Sequence, residues 1–387
     1  MTSTRIENRQ DAEALILGLG MFATGGGGLA SRGRGYFEHL FNDSIEVSWT
    51  TIDDVDPETL TCSVFGMGSI APHPPLDAEE RIRFGVPDGE RFQRPWVRAV
   101  DELAAHLGRE IGAIVPFELG PSNTLVALDA AARSNRTLID GDYIGRALPK
   151  MSQALPAVLG HPTWPVSICD PWGNALIMTD AASPTVAERI GKMISRVTKA
   201  VDMGASCSHA AFPAVASQAA MALVPGTLSR SLEVGRRVLA ARADGTDPVT
   251  AALGAVDGYS LFRGEVSQRM WDDTADGYME GTTVVEGSGE FAGTTAEIWF
   301  QNEHHLVKVG DRYVAMSPDI VAVVDSDDAE PISNTELAVG RRVAVIGIGA
   351  AAPYRLGVPL AITEPRHYGF EMDYVPIGEL NPDRGRG

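Results

Sequence analysis

The segment FELGPSNTLVALDAAARSNRTLIDGDYIGRALP, Phe117 to Pro149, decides how the rest of the chain is read. An apolar run from Ile111 to Phe117 ends in Glu118, Ser122 opens a helical pattern that runs to Arg133, and the apolar pair Leu138-Ile139 ends in Asp140-Gly-Asp142. Strand, helix, strand with short links is a βαβ unit, so the two strands are parallel and the crossover is right-handed. Glu118, Asp140, Asp142 and the guanidinium of Arg146 therefore gather where strands stop. Ligand crevices of open α/β sheets lie just outside the carboxyl ends of the strands, which makes these four residues candidate catalytic groups. The alternative is an internal ion-pair network, since buried acids and arginines are often purely structural.

Toward the N-terminus, Trp96 to Leu107 has a helical apolar period ending at Gly108, while Ser44 to Ile52 and Cys62 to Met67 read as strands. Residues 1–162 thus form an α/β domain of the parallel, doubly wound type. A helix from Asp11, its N-cap, to Met21 runs into Thr24-Gly25-Gly26-Gly27-Gly28. Such a loop offers several N–H groups to an anion or a substrate carbonyl, or it is a flexible turn. No Gly-Lys-Ser/Thr follows it and a helix, not a strand, precedes it, so no nucleotide cofactor is expected. His73 lies between prolines that hold it extended, either into the crevice or on the surface, and the charged stretch Leu76 to Arg94 reads as an exposed excursion that could act as a lid.

Toward the C-terminus a second domain spans residues 163–378. It opens with a hairpin around Asp170-Pro-Trp-Gly-Asn174. Helices fill 184–255, among them Val186 to Met203 and Thr227 to Ala243, and seven short alternating segments over 256–378 read as a β-sandwich or barrel-like module. Cys207 and His209 would share one face of a strand and could ligate a divalent metal, zinc being the ion expected, with His73 as a third ligand and His161, Asp140 and Asp142 as further distant candidates. Equally, a free cysteine among small apolar residues is commonly just a small hydrophobe. His304 and His305 would face opposite sides of a strand and are expected in a solvated turn. Residues 379–387 form a Gly/Arg/Pro tail expected to be disordered.

The 387 residues are 44% hydrophobic and carry a formal net charge of −19. No cluster of Lys and Arg suited to counterion release is present, which argues against nucleic acid and anionic membrane as partners. Three widely spaced cysteines fit a reducing compartment, and the N-terminal stretch suits neither a signal peptide nor a membrane span, so the cytoplasm is expected. Apolar content and an exposed β module point to a homo-oligomer.

Seven short motifs, in order, resemble the DUF917 family, which includes the S-methyl thiohydantoin desulfurases. They are Thr24-Gly-Gly-Gly-Gly28, Glu118-x-Gly120-x-x-Asn123, Asp140-Gly-Asp142-x-x-Gly145-Arg146-Ala147-x-Pro149, Gly226-Thr-Leu, Phe300-Gln-Asn-Glu303, Ser317-Pro-Asp319-Ile and Tyr368-Gly-Phe-x-x-Asp373-Tyr-x-Pro376. The resemblance implies an N-terminal α/β domain, a β-rich C-terminal domain with inserted helices, and a hydrolase that replaces a methylthio group on a five-membered ring with water. A distant likeness to hydantoinase and oxoprolinase proteins points to the same small cyclic substrates, with C–N ring opening or mere metabolite binding as alternatives. For that chemistry, Asp142 or Asp140 would act as base or hold a metal-bound water, with Glu118 as the other acid. Asn123 and the N–H groups of Gly25, Gly26, Gly27 and Gly28 would hold the ring, and Arg146 would pair with a substrate carboxylate or orient Asp142. Many relatives have a plainer apolar stretch where this chain reads Ser206-Cys-Ser-His209, a departure that would mark a subgroup with its own metal site or substrate.

Overall fold

The computed structural model describes residues 4–72, 74–86, 94–199, 201–202 and 205–382; side chains at 69–72, 201–202 and 205–207 lie outside that description. An α/β part comes first and a β-rich part follows, with helices inserted between them. The first sheet contains β1 (Leu60–Pro72), β2 (Ala113–Ile114), β3 (Thr137–Leu138), β4 (Val166–Cys169), β5 (Ala175–Met178) and β6 (Ala205–Val215), in the order β3-β2-β1-β6-β4-β5. The expected parallel pairing holds for β1, β2 and β3, while β6, β4 and β5 join antiparallel, so the sheet is mixed. Local βαβ signals reach only the parallel half. The hairpin β4–β5 and the strand β6 follow residue 162, yet they complete this sheet.

Both faces of β1 are covered. Cys62 and Val64 enter one core and Phe65 and Met67 another, which is why this strand reads as a continuous apolar run and not as an alternation. The stretch 44–52 contributes the short strand Val47–Trp49, paired with Thr4–Ile6, and Thr50 bridges to Ile139 just past β3.

Helix α1 (Arg9–Phe22) is capped by Asn8, whose Oδ1 accepts from Asp11 N at 3.0 Å, so the cap sits three residues earlier than expected. Every residue from Ala14 to Phe22 is buried, which fits a helix that is apolar all round. After it come α2 (Ala30–Asn42), α3 (Pro95–Leu107), α4 (Asn123–Arg133), α5 (Pro184–Thr198) and α6 (Thr227–Asp244). Backbones of α1 and α6 touch: a Cβ on Gly18 would lie 1.7 Å from Ser231 O, and one on Gly235 would lie 1.7 Å from Ala14 O.

The second sheet is antiparallel throughout. Strands β7 (Tyr259–Asp273), β8 (Met279–Gly287), β9 (Thr295–Gln301), β10 (Glu303–Val309) and β11 (Arg312–Met316) form a meander, and β12 (Ile320–Asp325) and β13 (Arg342–Ile348) extend it in the order β11-β10-β9-β8-β7-β13-β12. Its ends curl toward each other, β12 lying near β10, around a core that includes Phe262, Ile298, Val307 and Val345. The start of the expected disordered tail is ordered instead: Asn381 is buried and donates to Val314 O at 2.8 Å, while 383–387 lie outside the described residues. No helix among the described residues is long and apolar enough to cross a membrane.

The α1–α6 crossing gives a direct test of this packing. Gly235→Ala forces the two backbones apart and should lower unfolding free energy by about 1–3 kcal/mol in a chemical denaturation measurement; an unchanged midpoint would contradict the contact.

Candidate functional site

The glycine loop leaves α1 in an unusual conformation. Thr24 has φ 51°, and Gly25, Gly27 and Gly28 have φ 83°, 65° and 85°, values that glycine adopts without steric cost. Its carbonyls are tied to both halves of the molecule. Thr24 O accepts from His304 N (2.7 Å) and Gly25 O from Asn334 N (2.8 Å), whereas Gly27 O accepts from Ser122 N and Asn123 N (3.1 Å each). Among the described residues the N–H groups of Gly25, Gly27 and Gly28 have no protein acceptor, which leaves them available as donors.

Two buried carboxylates flank this loop. Glu118, 4% exposed, accepts from Asn123 Nδ2 at 2.6 Å and from Leu148 N at 3.1 Å, and the Oδ1 of Asn123 in turn accepts from Gly66 N on β1. Glu303, 3% exposed, comes from the other half, and a Cβ on Gly26 would lie 1.9 Å from its Oε1. Its Oε2 has no hydrogen-bond partner among the described residues.

Burial pushes Glu118 up to about 7 against the pull of its two hydrogen bonds. Glu303 is raised well above the carboxylate range, first by burial and then by the charge of Glu118, with Arg146 and Lys192 opposing. Both carboxyls are thus held above the ordinary range and the charge of one raises the other, so the pair can carry a proton and a charge together, as an acid and a base need.

Arg146 is engaged on every side by the protein. Its guanidinium is 3% exposed and donates to Ala147 O (2.8 Å), Pro318 O (3.0 Å), Asp319 O (2.9 Å), Thr24 Oγ1 (3.1 Å) and His304 O (3.1 Å). A guanidinium has five N–H donors, so none remains for a substrate carboxylate or for Asp142.

Asp140 is also committed elsewhere. It accepts from Leu228 N (3.0 Å), Ser229 N (3.1 Å) and the Ser229 hydroxyl, capping α6 in place of Gly226, which has no side chain to do so. Asp142 stays near the acid pair, within the field of Glu118, and is fully buried with Oδ1 accepting from Ile144 N (2.7 Å) and Gly145 N (2.6 Å). Of the sequence-selected groups, Glu118, Asn123 and the glycine loop come together, with Asp142 behind them.

Among the described residues the metal reading gains no donor set. His209 stands on β6 opposite Gly66 and Cys169, fully buried, with its ring edge-on to Trp96 at 5.1 Å and neither nitrogen partnered. Burial lowers it to about 3, so it is a neutral imidazole. Among the described residues no group of three or more His, Cys, Asp or Glu could hold a metal ion. His73 and the side chain of Cys207 lie outside the described residues.

Sequence patterning missed Glu303 and its neighbours because His304 and His305 were expected in a solvated turn. Asn302, at φ 58°, makes so tight a corner between β9 and β10 that both histidines stay in the strand, fully buried. They do face opposite sides, His304 toward Asn334 (Nε2 to Oδ1, 2.8 Å) and His305 against Tyr368 (4.1 Å between ring centres). The motif Phe300-Gln-Asn-Glu303 was the available signal.

Another group escaped notice on the inner face of α5. Glu188 pairs with Lys192 (2.9 Å) and accepts from Tyr278 OH (2.8 Å) and Met151 N (2.6 Å), and Lys192 Nζ lies 3.5 Å from the Tyr278 ring centre. Lys192 thereby holds a positive charge within reach of Glu303.

Burial raises Asp142 from 3.8 to about 7, which makes the folded state prefer its protonated form. That contribution to stability is fully present below pH 3.8 and is lost as pH rises through about 7. Asp142→Asn keeps the acceptor oxygen and removes the ionisation, so its denaturation midpoint should fall less than that of the wild type between pH 4 and pH 8; parallel curves would refute the assignment.

Two family descriptions cover almost the whole chain: "S-Me-THD-like, N-terminal domain" matches residues 10–180 and "S-Me-THD-like, C-terminal domain" matches residues 184–377. No curated protein matches. A crystal structure of a protein from Chromobacterium violaceum is similar in fold, with a TM-score of 0.73 and 22% identity over 97% of this chain and 100% of that one. With N- and C-terminal parts both matched in order, the chain belongs to the S-Me-THD-like family.

Proposed function

We propose that this protein is a hydrolase that replaces the methylthio group of an S-methyl thiohydantoin with water, yielding a hydantoin and methanethiol. Family membership supports the substrate class. The observation that carries the chemistry is the pair of buried glutamates, Glu118 and Glu303, on either side of the glycine loop.

In this reading Glu118, once ionised, takes a proton from water as the oxygen attacks the ring carbon that bears sulfur. The C=N π electrons move to the ring nitrogen, which receives the proton of Glu303. Collapse of the tetrahedral carbon to a carbonyl expels the thiolate, and the proton held by Glu118 leaves with it as methanethiol. A proton lost from the new hydroxyl restores Glu303. N–H groups of Gly25, Gly27 and Gly28 would stabilise charge that develops on the ring, each such donor worth roughly 2–4 kcal/mol where it meets an oxyanion. Asn123 fixes Glu118 through the 2.6 Å bond to its carboxylate.

Methanethiol release from S-methyl thiohydantoins tests the reaction. Glu118→Gln and Glu303→Gln should each lower kcat about 10²- to 10⁴-fold while leaving the thermal midpoint near that of the wild type. Since the base must be ionised, kcat/KM of the wild type should rise with pH through about 7, the value to which Glu118 is pushed. Full activity in either variant would overturn the roles, and ring opening without thiol release would assign C–N hydrolysis instead.

A further inference from the structure

We propose that Lys150 anchors an anionic substituent of the substrate, so that the rings taken are those carrying a carboxylate on their side chain. This specificity rests on the hydrolase reading above. Lys150 directly follows the motif ending in Pro149, and its side chain is half-buried. Nζ lies 3.2 Å from His367 Nε2, 5.5 Å from the centre of the Tyr368 ring and 5.9 Å from that of Tyr278. Among the described residues no carboxylate lies within ion-pairing distance of it. Glu188, the acid that acts on it most strongly, has its oxygens occupied by Lys192, Tyr278 and Met151 N.

A half-buried ammonium without a counter-ion is costly, and an anion brought in by a ligand offsets that cost by keeping the charged form. Burial accordingly draws the Lys150 pKa down. Tyr368, one of the rings beside it, packs on His305 at 4.1 Å between ring centres, two residues after Glu303, and Leu148, two residues before Lys150, donates to Glu118, so Lys150 stands beside the segments that carry the acid pair. Arg146, the cation expected to receive a substrate carboxylate, has every donor in use, which leaves Lys150 to do so. In a chain of net charge −19, an anionic ligand also needs such a local cation to approach.

The test compares two reaction-product analogues, hydantoin-5-acetate and the uncharged 5-methylhydantoin, titrated calorimetrically into the wild type, Lys150→Met and Lys150→Arg. Wild type should bind the acetate at least about tenfold more tightly, Lys150→Met should erase that preference with little change for the methyl compound, and Lys150→Arg should retain most of it. Equal affinities in the wild type, a preference that survives in Lys150→Met, or binding of neither ring would overturn the proposal. Binding does not require turnover, so the hydrolase reading can fail separately: no methanethiol release together with a preference lost in Lys150→Met would refute the reaction and keep the anion subsite.

Discussion

A single buried guanidinium holds the two halves of this molecule in register. Arg146 leaves the α/β part, and four of its five acceptors belong to other segments: the glycine loop at Thr24, strand β10 at His304, and the corner at Pro318 and Asp319. A charge taken out of water tolerates such a position only when every donor is satisfied, and here backbone carbonyls supply most of what is needed. Because those carbonyls belong to the loop and strand that bracket Glu118 and Glu303, the distance between the acids is set by a residue that touches neither. Arg146 also lends its positive field, which lowers both glutamates against the larger effect of burial.

Around that clamp the other polar motif residues divide between bracing and chemistry. Asp319 accepts from Ala350 N, Tyr374 OH and Ile377 N, fastening the C-terminal segment onto the second sheet. Asp140 caps α6, and Asp373 forms an exposed pair with Arg366. What remains for chemistry is buried and acidic, with loop N–H groups on one side and the Lys192–Glu188–Tyr278 group on the other. Burial there strengthens each remaining interaction, the repulsion between the two glutamates included.

Much of the fold was legible in the sequence. Local signals, such as the apolar run of β1, the helix starting near Ser122 and the seven short strands after residue 256, reflect periodicities that each segment carries by itself. The antiparallel half of the first sheet was not, since β6 pairs with β1 across more than a hundred residues and no short-range pattern records that choice. At the site, Glu118, Asn123 and the glycine loop could be found because a strand end and a run of glycines are themselves local features. Glu303 and Lys150 could not be ranked by pattern, for a glutamate beside two histidines reads as surface until Asn302 is known to turn the chain so sharply. Arg146 and Asp140 were marked by motif position, whereas most of the partners that occupy their polar atoms lie far along the chain and leave no local signal.

Strand β6 carries one more implication, for how the polypeptide acquires its shape. It lies in the middle of the first sheet, between β1 and β4, yet it is the last strand of that sheet to be made. A nascent chain that has emerged only as far as residue 180 holds two half-sheets with open inner edges, and such edges are where wrong pairing begins. The stretch matched by the N-terminal family description therefore lacks the central strand of its own sheet, which is supplied by the segment that follows α5.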